Sequence, residues 1–228
     1  MHPLILVGAG GFTRETVEVV HRIQGVSPRW DRVWIVDDDP AKQGSEVGGL
    51  IVAGDVSSAA GQPDTSGVGP IGNPANFVAR AQVVERLGLG ARRHPTLVDP
   101  TAVLGSSVEL GAGTIVHPGC VLTADVTVGC HVAMMPTVVL THDDVVGDFV
   151  TIASGVRVGG GARIGEGAYL GAGATIREGV EVGPWSLVGA GAVVVGDVPA
   201  GEVWVGNPAR RLREVEPVGD LAARLGRA

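Results

Sequence analysis

The run His142-Asp143-Asp144 sets an imidazole beside two carboxylates, in a chain of 228 residues that holds six histidines. An imidazole titrates near neutrality, so it is the side chain suited to take the proton that an attacking amine or hydroxyl must lose. Taken alone, a His-Asp pair on a turn reads first as a solvated surface contact. A second candidate is Gly8-Ala9-Gly10-Gly11, placed between a strand pattern and a helix pattern. Free backbone N–H groups and the helix dipole converge at such a turn and favour an anion; the same glycines also suit plain strand–helix packing. Thr13 stands where a dinucleotide fingerprint needs its third glycine, and Asp37 lies 29 residues after Gly8 rather than about 20, which argues against NAD. Asp37 and Asp38, at a strand's carboxyl end, suit hydrogen bonds from a base or sugar, or are solvated turn residues. His117 and His131 tempt toward zinc, but spacings of 14 between them and 11 from His131 to His142 do not resemble the ligand pattern of zinc enzymes built on similar repeats, and no metal is expected. Cys120 falls on a core place and Cys130 on an outward one, so neither invites catalysis.

What must position His142 is a repeat of period six. From Val98 to Val188 in steps of six, sixteen successive positions are aliphatic or Met. An amphipathic helix would repeat near 3.6 and an ordinary strand would alternate over a few residues only. Nine of the sixteen following positions are glycine, which supplies turn conformations that a Cβ forbids. Four places after each aliphatic a small residue recurs, from Ala102 through Cys120 and Ala162 to Ala192, with Asp144 as the exception. One large and one small inward residue per hexad, with no inserted loop, is the pattern of a hexapeptide parallel β-helix. His142 takes the third place of its hexad, outside the core, where it can reach a groove on the prism's outside. Asp144 takes an inward place, and a lone buried carboxylate is costly unless paired. It either turns out through local distortion or supports His142 from within. The prism's apolar flanks predict self-association, and Trp185 and Trp204 are expected to cap or pack it.

Residues 1–91 read instead as a small α/β domain. Leu4–Val7 is a strand, Thr13–Gln24 a helix stopped by Gly25, and Val33–Val36 a second strand; Asn73 caps and Pro74 opens another helix that Gly88 closes. The prism is expected over 92–209, and Leu221 and Leu225 suggest a short helix in a tail at 210–228. A net charge of −7, with no basic run longer than two, speaks against nucleic-acid binding. The chain lacks an apolar stretch of 18 residues, and its start reads as a buried strand rather than a signal peptide, so no membrane span is expected. Two cysteines point to a reducing compartment and a cytoplasmic location.

Leu6-Val7-Gly8-Ala9-Gly10-Gly11, then Asp37-Asp38-Asp39-Pro40, then Ile71-Gly72-Asn73, then hexads containing His142-Asp143 and ending Val205-Gly206-Asn207-Pro208-Ala209, resemble the sugar acyltransferase family. Its members include nucleotide-aminosugar N-acetyltransferases of the bacillosamine and perosamine type and sialic acid O-acetyltransferases. The resemblance implies a Rossmann-like N-terminal domain, a left-handed β-helix and a homotrimer with active sites between subunits. It implies acetyl-CoA in the groove between adjacent helices, lined by Thr151, Ala172 and Ala190. Gly10, Gly11 and Phe12 would approach the nucleotide, Asp37 and Asp38 would read its base or ribose, and Gly72 would lie against it. His142 would be the general base, with Asp143 holding its tautomer, Asp144 as support and a backbone N–H of a neighbouring coil as oxyanion donor. The implied reaction is acetyl transfer to the amino group of a nucleotide-linked aminosugar. Alternatives are O-acetylation of a sugar hydroxyl and a scaffold that binds sugar nucleotides without turnover. Met135 stands where some N-acetylating members carry asparagine, and Thr151 where some carry a second histidine.

Overall fold

The computed structural model describes residues 2–60, 62 and 64–216. The N-terminal part begins with β1 (His2–Val7), whose last four residues are buried, and turns through glycines into α1 (Gly11–Val26). The helix runs past the expected stop at Gly25. One interior glycine costs only about 1 kcal/mol, and the Ser27 N–H closes the helix end by donating to the Ile23 carbonyl. There follow β2 (Trp30–Val36), a hairpin of β3 (Glu46–Val47) and β4 (Leu50–Ile51), α2 (Val56–Ala60), β5 (Ser66–Val68) and α3 (Ala79–Leu87). β1 pairs in parallel with β2 on one side and β5 on the other. α3 starts five residues later than Pro74 suggested: Asn73 caps only a turn, its side-chain oxygen accepting from the Ala75 N–H and its carbonyl from the Asn76 N–H. Gly88 does close it, in the left-handed conformation.

From Leu97–Val98 onward the chain is a left-handed parallel β-helix. Two-residue strands stack on the strands 18 residues away, as Ala133 and Met134 do on Thr151 and Ile152, and form three flat faces. The large and small inward residues pack into one core column, including Leu122, Leu140, Ile152, Ile176 and Val188, each 1% exposed or less. Each such aliphatic side chain contributes roughly 1.5–3 kcal/mol when taken out of water. Trp185, 2% exposed, packs on the outside of this column against the N-terminal domain rather than within it. Glu202–Val205 extends one face, and Arg210–Glu214, the start of the expected tail helix, is instead a strand antiparallel to it. Leu221 and Leu225 lie outside the described residues. No helix among the described residues is long and apolar enough to cross a membrane.

The N-terminal domain lies on one face only, the one whose outward residues include Ile115, Ala133, Thr151 and Tyr169, all buried. Phe77 meets Tyr169, Phe12 meets His117, and Arg22 of α1 bonds the buried Asp99 carboxylate at 2.6 Å.

Candidate active site

His142 sits on the corner opposite that covered face, between the face carrying Val139–Leu140 and the face carrying Val145–Val146. Asp143 occupies the left-handed position of the corner, with φ 62°. The coils above place Gly161 and Gly179 there, and the coil below Asp125. Aspartate tolerates this conformation better than most residues, so the corner keeps a carboxylate where glycine would otherwise stand. The two side chains point into solvent, and His142 Nδ1 lies 2.8 Å from Asp143 Oδ2. The hydrogen bond to that carboxylate, with its charge, holds the imidazole above its ordinary value of 6.5. Nδ1 is thereby committed to Asp143 and Nε2 is the nitrogen left for chemistry.

Asp144 turns inward and is fully buried. Along this edge the backbone rungs run from Gly105 to the Leu122 carbonyl, Thr123 to Leu140, Gly159 to Ile176 and Arg177 to Val194. At Thr141 the rung is diverted: its N–H donates to Asp144 Oδ2 at 2.8 Å, and its hydroxyl donates to the Val158 carbonyl that the N–H would have used. Asp144 Oδ1 accepts from the Ala162 N–H at 3.0 Å. Asp144 therefore points inward rather than out, staples the residue before His142, and makes no bond to the imidazole. Burial pushes its carboxyl up to about 6 against those two N–H donors. A raised carboxyl lends stability that is present below its unfolded value near 3.8 and is lost as pH rises through about 6, about 3 kcal/mol in all. Asp144→Val, which matches Val126 and Val180 of the same column, is expected to flatten that slope between pH 4.5 and 8 in denaturant unfolding. It is also expected to lower turnover about tenfold by freeing Thr141; full turnover would take Asp144 out of the active-site network.

The uncovered face beside His142 carries a groove of about 380 Å³. Its walls include Val139, Thr141, Gly159, Arg177, Val193 and Val195. This face is bounded on its other side by the corner that carries Ala172 and Ala190, exposed and one coil apart. Thr151 does not join them. It points to the covered face, is 2% exposed, and its Oγ1 accepts from Arg80. The expectation that it lines a cosubstrate groove is corrected by the docking of the N-terminal domain over that strand.

The glycine turn opens on a second cavity, of about 650 Å³, whose wall includes Gly10, Gly11, Phe12, Asp37, Asp38 and Gly72. All six nucleotide-site residues implied by the resemblance are thus brought together. Asp37 is already engaged: Oδ2 accepts from the Ala9 N–H at 2.7 Å and from Lys42 Nζ at 3.1 Å, and Oδ1 from the Asp39 N–H. Burial works upward on its carboxyl, and those donors outweigh it and hold the pKa low. Asp38 bonds the Val56 N–H and pairs with Arg86 at 2.8 Å. Asp37 thus also fixes the turn from its place on the cavity wall, and among the described residues Lys42 is the cation on that wall. His117 and His131 are buried and driven down to about 4 by that burial, hence neutral. Among the described residues no cluster of three or more ligand side chains could hold a metal.

Residues 161–196 match the model of the bacterial transferase hexapeptide, six repeats. No curated protein sequence matches the chain. Among solved structures, the acetyltransferase domain of PglB from Neisseria gonorrhoeae, also solved with acetyl coenzyme A, superposes with a TM-score of 0.83 at 29% identity, covering 93% of this chain and 100% of that one. A variant of perosamine N-acetyltransferase from Caulobacter crescentus, in complex with CoA and GDP-perosamine, gives 0.81 at 27%, covering 94% and 98%. WeeI from Acinetobacter baumannii gives 0.81 at 31%, covering 93% of this chain and all of that one. With its repeat, its two-part architecture and its length all matched, the chain belongs to the sugar acyltransferase family of hexapeptide-repeat proteins.

Proposed function

We propose that the protein transfers an acetyl group from acetyl-CoA to the amino group of a nucleotide-linked deoxyaminosugar, with His142 as general base. The observation that carries this reading is the outward His142-Asp143 pair at the rim of an apolar groove. The acetyltransferase neighbours, solved with acetyl coenzyme A or with CoA and GDP-perosamine, support the same chemistry. The sugar nucleotide occupies the 650 Å³ cavity with its phosphates toward the glycine turn. That cavity is walled by the N-terminal domain, which lies on the covered face, and His142 stands at the opposite corner of the prism, so a chain's own base does not reach its own cavity. A second copy must supply it, and we read the assembly as a homotrimer with each site between neighbours. Acetyl-CoA lies along the groove between the His142 corner and the corner of Ala172 and Ala190.

The amine nitrogen adds to the thioester carbonyl carbon while His142 Nε2 takes its proton, and Asp143 steadies the imidazolium so formed. The tetrahedral intermediate collapses by breaking the carbon–sulfur bond, and the proton passes from the imidazolium to the departing thiolate. Gly160, in the coil above His142, brings a backbone N–H to the same edge for the developing oxyanion.

Thiol release from acetyl-CoA, measured with nucleotide-linked 3-amino and 4-amino sugars, their hydroxyl counterparts and free sialic acid, tests the reading. Release with an amino sugar is the expected result. Release with hydroxyl acceptors alone would make the protein an O-acetyltransferase, and silence across the panel would leave a binding scaffold.

A further inference from the structure

Arg80, on the first turn of α3, is 2% exposed and no carboxylate pairs with it among the described residues. Its guanidinium is spread over neutral acceptors from both parts of the chain. Nε donates to the Ile71 carbonyl at 2.8 Å. Nη1 donates to the His131 carbonyl at 2.7 Å and the Val150 carbonyl at 3.3 Å. Nη2 donates to Thr151 Oγ1. A buried cation without a counter-ion is expensive, and burial draws its pKa down to about 9, so it remains charged at neutral pH. Packing alone would be served at lower cost by an apolar side chain. A planar fork that satisfies acceptors at fixed angles does something an apolar side chain cannot.

The acceptors say what is being held. Ile71 and Gly72 belong to the wall of the sugar-nucleotide cavity, and a Cβ added at Gly72 would lie 3.3 Å from the Phe12 ring and 3.5 Å from Thr151 Cγ2. The loop therefore sits directly between cavity and prism. On the prism side the grip falls on residues 131, 150 and 151, and a coil takes 18 residues. Residue 142 lies between them, so the guanidinium is fixed at the height of the His142 corner. If neighbouring prisms are related by rotation about an axis parallel to their own, heights are preserved from copy to copy.

We infer that Arg80 is a positioning residue that sets the sugar-nucleotide loop at the level of the neighbouring subunit's His142. It acts on acceptor presentation and leaves the acetyl-CoA groove untouched. The inference rests on the function proposed above for its catalytic consequence, but the lock itself can be read without turnover.

The test compares Arg80→Lys and the milder Thr151→Val with Arg22→Ala, which breaks another tie between the two parts, the ion pair of Arg22 on α1 with Asp99, and leaves the Arg80 bonds in place. Hydrogen exchange of the segment 71–76 reads the lock directly. It is expected to quicken about tenfold or more in both Arg80→Lys and Thr151→Val, and to stay at the wild-type rate in Arg22→Ala. In steady-state assays the first two variants raise KM for the sugar nucleotide or lower kcat by about tenfold, with KM for acetyl-CoA within about twofold of wild type. Lysine does not rescue, because a point charge cannot reach four acceptors in a plane. Loss of melting temperature in all three variants with unchanged loop exchange and unchanged kinetics would reduce Arg80 to a structural tie and overturn the inference. A wild-type protein that neither binds nor acetylates any sugar nucleotide overturns the proposed function instead, while the exchange comparison still decides the lock.

Discussion

His142→Ala is expected to lower turnover by about 10²–10⁴, the ordinary worth of a positioned general base, while affinity for acetyl-CoA stays close to wild type. The side chain is exposed and its one bond is to Asp143, so its removal leaves no buried group unsatisfied and the fold is unaffected. Calorimetric titration with acetyl-CoA beside a thiol-release assay separates the two effects. Retained turnover would mean that the amine reaches the thioester already neutral, or that another base serves. The pH profile carries a second signature. A general base must be neutral to act, and Asp143 raises the imidazole's pKa, so activity is expected to fall as pH drops through a value above 6.5. Asp143→Asn removes the carboxylate and lets the pKa fall back. The acidic limb then moves to lower pH, while the plateau drops because the ring's tautomer is no longer held. A limb that stays in place would show that some other group governs it.

How much of this was legible in the sequence follows from which interactions are periodic. The hexads of 98–188 declare the prism because every coil must put a large and a small residue inside, and that demand repeats without exception except at Asp144. The exception was itself informative: it marked the coil where a backbone rung gives way to a carboxylate. The cavity residues were legible through resemblance to a family, since the glycine turn alone suits packing as well as anions. What was not legible depends on docking between distant segments. Thr151 looks like any outward strand residue, and only the arrival of α3 converts it from a groove wall into a buried acceptor. Arg80 lies in a helix whose sequence gives no sign which of its residues will meet the prism. Lys42 sits on a loop whose path is fixed by tertiary bonds to Asp37. Gly160 could have been found by arithmetic, because adding one 18-residue coil to 142 lands on it.

Gly160→Ala carries the second large effect, and it acts on the base without touching it. A Cβ built at Gly160 would stand 2.4 Å from His142 Nε2 and 2.5 Å from Cε1. Real atoms do not approach so closely, so one side must yield. The Gly160 backbone is pinned between coils: its carbonyl accepts from the Gly179 N–H, and the next residue, Gly161, donates to the His142 carbonyl. The imidazole, by contrast, is the far end of a side chain that is 68% exposed. The ring therefore swings away, at the cost of its bond to Asp143 or of an unfavourable rotamer, about 0.5–1.5 kcal/mol. Stability should fall by no more than that, since the site is exposed and has no φ conflict. Turnover should fall about a hundredfold, because a displacement near 1 Å at a reacting nitrogen is enough to lose that much. Denaturant unfolding and kcat measured on the same preparation give the answer. A folded Gly160→Ala protein with its turnover intact would show that the imidazole does not work from the position over Gly160, and that the productive rotamer lies elsewhere on the corner.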